Sequence, residues 1–357
     1  MTKKLLNKDK FCLKKENCVD LNFPSELRFD LISQDWVVIA TGRSRRPDTY
    51  KKDRKKEEEV PPDKCLFCKI ETQKKPVLIY AKGKKVSNET IPSDWTNIVV
   101  PNLYPAFIPR PEIKKKMEGP FYQTINAVGF HEVVITRDHK KAIGEFSLEE
   151  IKELIDVYQD RYLDLMKKDF VHYVSIFHNH GLEAGASIAH PHSQIITTPL
   201  IDVDLNKALI NSKAYNKKTG KCIYCQASKW EAKVKTRVIF ENKEFLAICP
   251  FASKSAFEII ITPKKHQSCF ERVKEEDKWQ LAEAFKDVFG KLYRGLVDPA
   301  YNFYLHTAPC DGKDYPYYHW HWTILPKTST WAGFEMSTGI EISTIAPEKA
   351  AAYLKEQ

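Results

Sequence analysis

The residues of this 357-residue chain best able to do chemistry lie in one stretch, Gly185-Ala-Ser-Ile-Ala-His190-Pro-His192-Ser-Gln194-Ile-Ile-Thr. The apolar and β-branched run from Ile195 to Thr198 predicts an extended strand, in which residues two apart point to the same face. His190, His192 and Gln194 then share one side, just after a small-residue turn at Gly185-Ala186-Ser187. Two imidazoles and an amide beside a turn that can cradle an anion point to phosphate chemistry. A histidine attacks phosphorus when one ring nitrogen keeps its proton on an acceptor and the other presents its lone pair. Asn179, Ser187 and the Gln194 amide are donors for charge developing on phosphoryl oxygens, and Gly185 permits close backbone approach.

Stepping outward, the spacing of the nine cysteines is the next signal. Four form the pairs Cys65-Leu-Phe-Cys68 and Cys222-Ile-Tyr-Cys225; the rest are scattered singly, and an odd total argues against a disulfide framework. The two pairs belong to a repeat. In each half the order is C-x-x-C, a strand running to a histidine (His139, His266), a helix, a second strand, then His-x-His (His190 to His192, His319 to His321). Each half thus supplies two thiols and two imidazoles: Cys65, Cys68, His139 and His190; then Cys222, Cys225, His266 and His319. These are tetrahedral Cys2His2 sets with no open position, so two structural zinc ions per chain are expected. His190 is then a metal ligand, which leaves His192 as the chemical residue. His321 stands in register with His192 but lacks an Asn and a Gly-x-Ser cradle before it, and reads as structural or, with His306, as an alternative ligand of the second metal site. His131, His172, His178 and His180 read as surface or core imidazoles.

The elements that must position these residues can also be read. Glu26–Asp30 and Asp35–Ala40 predict a hairpin; residues 77–80, 96–100, 130–136 and 171–177 predict strands. Ser147-Leu-Glu-Glu150 is a capping box opening a helix with apolar residues at helical spacing. Residues 200–220, polar and ending in Lys-Lys-Thr-Gly, predict a connection between two units. The expected architecture is α+β: two tandem domains, residues 1–200 and 201–357, each an antiparallel sheet packed with helices. A net charge of +9, 43% hydrophobic and 12% aromatic residues describe an ordinary globular protein with a slight preference for anionic small molecules. The charge run Lys51–Glu59 has no interleaved aromatics and reads as a solvated loop, so no nucleic-acid partner is expected. No run approaches the roughly 18 apolar residues of a membrane span, and the basic N-terminus has no apolar segment after it, so a cytoplasmic, non-membrane protein is expected.

His190-Pro-His-Ser-Gln194, with Asn179 and Gly185-Ala-Ser187, resembles the active-site motif of the galactose-1-phosphate uridylyltransferase family, in the histidine-triad superfamily. The resemblance extends over most of the chain, including Arg28-Phe-Asp through Trp36, Pro101-Asn-Leu-Tyr-Pro-Ala and Ala332-Gly-Phe-Glu-Met336. It implies two histidine-triad-like domains and a ping-pong nucleotidyltransferase in which His192 forms a nucleotidyl-histidine. Gln194 and Ser187 would bind the phosphoryl oxygens, Asn179 would position phosphate, Asn102 and Tyr104 would hold the nucleoside, Arg28 would bind phosphate and Glu335 would contact the sugar. It further implies a homodimer in which one subunit's tail completes the other's site. The substrates implied are a nucleotide sugar and a sugar phosphate, UDP-glucose and galactose 1-phosphate. The sequence departs from the family pattern at Leu103, where an acidic residue is usual, at Ser329 and at Glu341. Leu103, the second cysteine pair and the Gly333–Gly339 tail are more similar to the related plant nucleotide-sugar phosphorylase, which implies an ADP-sugar and inorganic phosphate as the alternative pair. The remaining alternative is a non-catalytic zinc-containing nucleotide-binding module.

Overall fold

The computed structural model describes residues 25–43 and 60–357, together with the backbone of two short strands, Lys10–Cys12 and Cys18–Asp20. The charge run 51–59 and most of the basic turn after Thr41 lie outside the described residues.

Eleven strands form one antiparallel sheet. In chain order they are β1 (Leu78–Ala81), β2 (Lys84–Val86), β3 (Trp95–Pro101), β4 (His131–Thr136), β5 (Tyr173–His180) and β6 (His192–Thr198). They continue as β7 (Val238–Glu241), β8 (Phe245–Ile248), β9 (Ile259–Pro263), β10 (Tyr301–His306) and β11 (His321–Pro326). In space the order is β7-β8-β9-β11-β10-β5-β6-β4-β3-β1-β2. The repeat in the sequence is therefore a repeat in space: β1-β3-β4-β6-β5 in the first half has the same order as β7-β8-β9-β11-β10 in the second. The two antiparallel sheets expected, one per unit, are joined into one, because β5 and β10 pair edge to edge, with Asn179 opposite Asn302. Pairing the two edges satisfies backbone groups that two separate sheets would each expose.

Alternation along the strands separates two faces. On β6, Ser193, Ile195 and Thr197 are buried on one side, and His192 and Gln194 occupy the other. The first face is covered by two helices, α1 (Leu148–Leu165) and α4 (Glu275–Leu296), packed on each other. Ile151, Leu154, Ile155 and Tyr158 of α1 join Phe285 and Phe289 of α4 in the main core with Ile195, Phe303 and Trp322 of the sheet. The helix start at Ser147 is as the sequence predicts: Ser147 Oγ accepts from Glu150 N, and Glu150 Oε2 accepts from Ser147 N.

Two further helices follow the first half, α2 (Val203–Thr219) and α3 (Ile223–Val234). The polar segment 200–220 is thus a capped helix and not an open connection: Asp202 accepts from Leu205 N, and Gly220 closes it at φ +69°. Only Leu205, Leu209 and Ser212 are buried, a stripe too narrow to stand out as a period in the sequence. Near the chain end, α5 (Gly333–Thr338) and α6 (Pro347–Lys355) flank Ile342–Ser343, which pairs in parallel with Trp36–Ala40 of the predicted hairpin.

One buried ion pair ties α1 to β4, the strand leading to His139. Arg161 Nε and Nη2 donate to the two Glu132 carboxylate oxygens at 2.9 and 2.7 Å, with side-chain exposures of 9% and 3%. Losing one partner strands a charge in the core. Arg161→Met is expected to lower unfolding free energy in urea by about 3–5 kcal/mol; a loss under about 1 kcal/mol would show that Glu132 does not depend on it.

Candidate active site and metal centres

The C-x-x-C loop before β1, the loop after β4 and the approach to β6 converge on one point. The ligand atoms of Cys65, Cys68, His139 and His190 all lie within 4.8 Å of one another. Cys68 Sγ is 3.2 Å from His139 Nδ1 and 3.5 Å from His190 Nδ1, and the two Nδ1 atoms are 3.2 Å apart. A tetrahedron with metal–nitrogen bonds near 2.05 Å and metal–sulfur bonds near 2.3 Å has edges of about 3.3–3.8 Å, so the four atoms already have the right spacing. The outer nitrogens are committed as well: His139 Nε2 donates to the Val60 carbonyl and His190 Nε2 to the Thr136 carbonyl, both at 2.7 Å. Such bonds fix the tautomer that turns Nδ1 inward. Burial and the neighbouring Cys65 push the Cys68 thiol up to about 11.

The second half repeats the arrangement. Cys222, Cys225, His266 and His319 form the other four-ligand cluster among the described residues. Cys225 Sγ lies 3.4 Å from His266 Nδ1 and 3.3 Å from His319 Nδ1, and His319 Nε2 donates to the Pro263 carbonyl at 2.9 Å. His306 and His321 are not members of either cluster.

From the first centre the chain runs straight to the nucleophile candidate. His192 Nδ1 donates to the backbone carbonyl of His190 at 2.8 Å, which leaves Nε2 with its lone pair. The ring is 7% exposed, and burial holds its pKa below the ordinary imidazole value, opposed by that same hydrogen bond. Phe67, between the two cysteines of the first cluster, meets it edge-on with ring centroids 4.8 Å apart. A neutral imidazole of fixed tautomer, backed by an aromatic edge, is arranged to be a nucleophile.

The donors around it are held in place by residues that sequence reasoning missed. Gln194 shares the face of His192, and its Oε1 lies 2.8 Å from His131 Nε2. His131 Nδ1 accepts from Ala106 N at 3.1 Å, so Nε2 carries the proton and Gln194 keeps its NH2 group as a donor. His131 therefore has a partner that its sequence context did not give. The signal was register: Val133 pairs with Gln194, which puts His131 on the same face one step along. Asn179 Oδ1 accepts from Asn302 Nδ2 at 2.8 Å, and that nitrogen also donates to the Ala184 carbonyl at 2.8 Å. One amide from the second half thus orients Asn179 and anchors the small-residue turn. Gly185 sits at φ +84°, the left-handed conformation that glycine adopts at least cost; Ser187 is exposed beside it.

The other sequence-read residues are placed as follows. Asn102 Oδ1 accepts from Tyr104 N, and its Nδ2 lies 3.1 Å from the protonated His131 Nε2, a donor beside a donor, so Asn102 neighbours the His131–Gln194 pair without bonding to it. The Tyr104 side chain is 89% exposed. Arg28 is held elsewhere: its guanidinium pairs with both oxygens of Glu348 at 2.9 and 3.1 Å and with Glu26. Glu335 caps its own helix by accepting from Ala332 N. Within one chain neither is gathered with His192. His178 and His180 also have partners, Ser193 at 3.0 Å and Asp298 at 2.6 Å.

This geometry can be compared with known proteins. The model of the galactose-1-phosphate uridyl transferase N-terminal domain matches residues 17–202, and that of a domain of unknown function matches 123–356. The ADP-glucose phosphorylase of Arabidopsis thaliana is 32% identical over 94% of this chain and 93% of its own length. The galactose-1-phosphate uridylyltransferase of Thermotoga maritima is 28% identical over 93% of this chain and 98% of its own. The structure of the Arabidopsis enzyme with bound ADP-glucose superposes with a TM-score of 0.74 at 30% identity, over 94% of this chain and 99% of that one. Fold and relatives define a nucleotidyltransferase built from two histidine-triad-like units. The chain belongs to the galactose-1-phosphate uridylyltransferase family.

Each four-ligand cluster should hold one metal ion independently. Elemental analysis of purified protein is expected to give about two ions per chain, falling to about one in Cys65→Ser and in Cys225→Ser. Unchanged content in either variant would remove that cluster as a metal site.

Proposed function

We propose that His192 carries a nucleotidyl group between a nucleotide sugar and a phosphate-bearing acceptor. His192 Nε2 attacks the α-phosphorus; a P–N bond forms and the bond to the departing sugar 1-phosphate breaks. In the second half-reaction an acceptor phosphate oxygen attacks, the P–N bond breaks and the neutral imidazole returns. The proton stays on Nδ1 throughout, donated to the His190 carbonyl, and that bond stabilises the positive charge that the ring gains on phosphorylation. Gln194 and Ser187 donate to the phosphoryl oxygens and Asn179 positions the phosphate, with Gly185 letting the backbone come close. The single observation carrying this reading is the 2.8 Å bond from His192 Nδ1 to the His190 carbonyl, which fixes the nucleophilic tautomer.

The donor and acceptor of this reading are UDP-glucose and galactose 1-phosphate, supported by the family match and the uridylyltransferase relatives. A second reading, an ADP-sugar with inorganic phosphate, is favoured by the Arabidopsis relative, by Leu103 and by the second cysteine pair. Asn102 and Tyr104 would face the nucleoside in both. Arg28 and Glu335, engaged within their own chain, would reach phosphate and sugar across a homodimer. The metal in both centres is read as zinc, because two thiolates and two imidazoles at tetrahedral spacing suit that ion; it would brace strands and leave the chemistry to His192. The same reading divides the chain near residue 200 into the unit with the nucleophile and the unit without it. It makes the protein a cytoplasmic small-molecule enzyme with no nucleic-acid partner; among the described residues no helix is long and apolar enough to cross a membrane.

Incubation with α-labelled UDP-glucose or ADP-glucose, without acceptor, is expected to leave an acid-labile, base-stable label on wild-type protein and none on His192→Ala. The donor that labels decides between the two readings, and no label from either would overturn the transferase mechanism. Gln194→Ala is expected to slow labelling by about 10²-fold, the cost of one lost oxyanion donor. Asn302→Ala, which touches Asn179 only from behind, should slow it by about tenfold, or 1.4 kcal/mol, with little change in unfolding midpoint. Labelling at the wild-type rate in Asn302→Ala would mean that Asn179 does not need its partner.

A further inference from the structure

The second half contains a cavity of about 230 Å³ on the face of the sheet that corresponds to the His192 face. Aligning the two metal sets puts the cradle residues in correspondence: His192 with His321, Gln194 with Thr323, and His131 with Glu258. Phe67 corresponds to Tyr224, each one residue before the second cysteine of its pair. Strand pairing adds Asn179 with His306, since Phe177 opposes Gln194 and Tyr304 opposes Thr323. All five second-half counterparts line this cavity.

The copy keeps the frame and changes the chemistry. His321 Nδ1 lies 3.2 Å from the His319 carbonyl, as His192 does from that of His190, and the Tyr224 ring stands 5.7 Å from His321 where Phe67 stands by His192. The phosphate donors are gone, however. The glutamine has become Thr323, the asparagine His306, and the histidine behind the glutamine has become a carboxylate, Glu258. The hairpin at 30–35 and α2 roof the cavity and bring three more carboxylates, Asp30, Asp35 and Asp204, against two ammonium groups, Lys207 and Lys254. Both lysines already face Asp35, at 2.5 and 3.5 Å. A surplus of carboxylates repels a phosphate or nucleotide.

What remains suits hydroxyl groups, each of which donates and accepts at once. Thr262 and Thr323 offer hydroxyls on the floor, carboxylates and imidazole nitrogen accept, and tyrosine rings with Ile248 and Ile260 give apolar walls for C–H faces. The volume is that of about eight waters, which limits the occupant to a small molecule. We propose that this cavity is a second ligand site, separate from the His192 cradle, that binds a small neutral polyhydroxyl compound, a free monosaccharide or polyol, without transferring anything to it. The inference does not depend on which nucleotide the His192 site uses.

The test is calorimetric titration of the metal-loaded full chain with D-glucose, D-galactose, myo-inositol and glycerol, with inorganic phosphate and spermidine as charged counter-probes. At least one neutral probe is expected to bind saturably at one site per chain, equally well in His192→Ala. Ser228→Phe, which fills the cavity from α3, is expected to abolish binding while leaving nucleotidyl labelling of His192 in place. The near-isosteric double variant Thr262→Val with Thr323→Val is expected to weaken binding at least tenfold, and it decides the matter where Ser228→Phe does not fold. Absence of saturation by every neutral probe up to about 100 mM, well beyond the millimolar range of weak specific binding, would overturn the proposal. So would binding that survives both cavity variants, or phosphate or spermidine binding there in preference to the hydroxyl compounds. Failure of His192 labelling would count against the transferase reading and leave this result standing.

Discussion

The structure turns on one short hydrogen bond, from His192 Nδ1 to the carbonyl of His190. It joins two functions that could have been built apart. The His190 side chain faces the four-ligand cluster and its backbone accepts from His192 Nδ1, so whatever fixes that cluster also fixes the His192 tautomer. The i to i+2 spacing makes this possible, since a residue's carbonyl is within reach of a side chain two positions on. The same bond recurs at His319 and His321, where no phosphate cradle surrounds it. The bond alone therefore does not make a transferase site; it makes an oriented imidazole, and the neighbours decide its use.

Those neighbours depend on the fusion of two half-sheets. Asn302 belongs to the second half, yet it orients Asn179 and anchors the turn at Ala184 in the first. The β5–β10 seam is thus a structural joint and also a part of the cradle, and the second half contributes to a site in which it supplies no nucleophile. His131 acts in the same way on Gln194 from β4. In both cases a side-chain oxygen is occupied from behind, which leaves an NH2 group to face the anion. Preorganised donors of this kind spare the reorganisation that water would need as charge develops.

The duplicated second half shows how the same frame tolerates different chemistry. Metal ligands, the aromatic between the cysteines and the imidazole–carbonyl bond are retained, because each depends on short-range chain geometry braced by the metal set. The residues projecting from the strand faces differ: Thr323 for Gln194, His306 for Asn179 and Glu258 for His131.

The sequence alone carries the two Cys2His2 groupings, the repeat and the capping box at Ser147, and it led to His192 rather than His190 as the proposed nucleophile. Each is written in local spacing: C-x-x-C, His-x-His, a hydroxyl three residues before a glutamate. It also grouped Gln194 with Asn179 and Ser187 around His192, and gave Asn102 only through the family resemblance. Only the tertiary structure decided that the two sheets are one, that residues 203–219 are a helix, and that Arg28 pairs with Glu348 in its own chain. It alone revealed the supporting roles of His131 and Asn302. Asn302 is 123 positions from Asn179 and His131 is 63 from Gln194, and such contacts follow from strand register. Register depends on how whole faces bury themselves, which no local pattern of residues encodes.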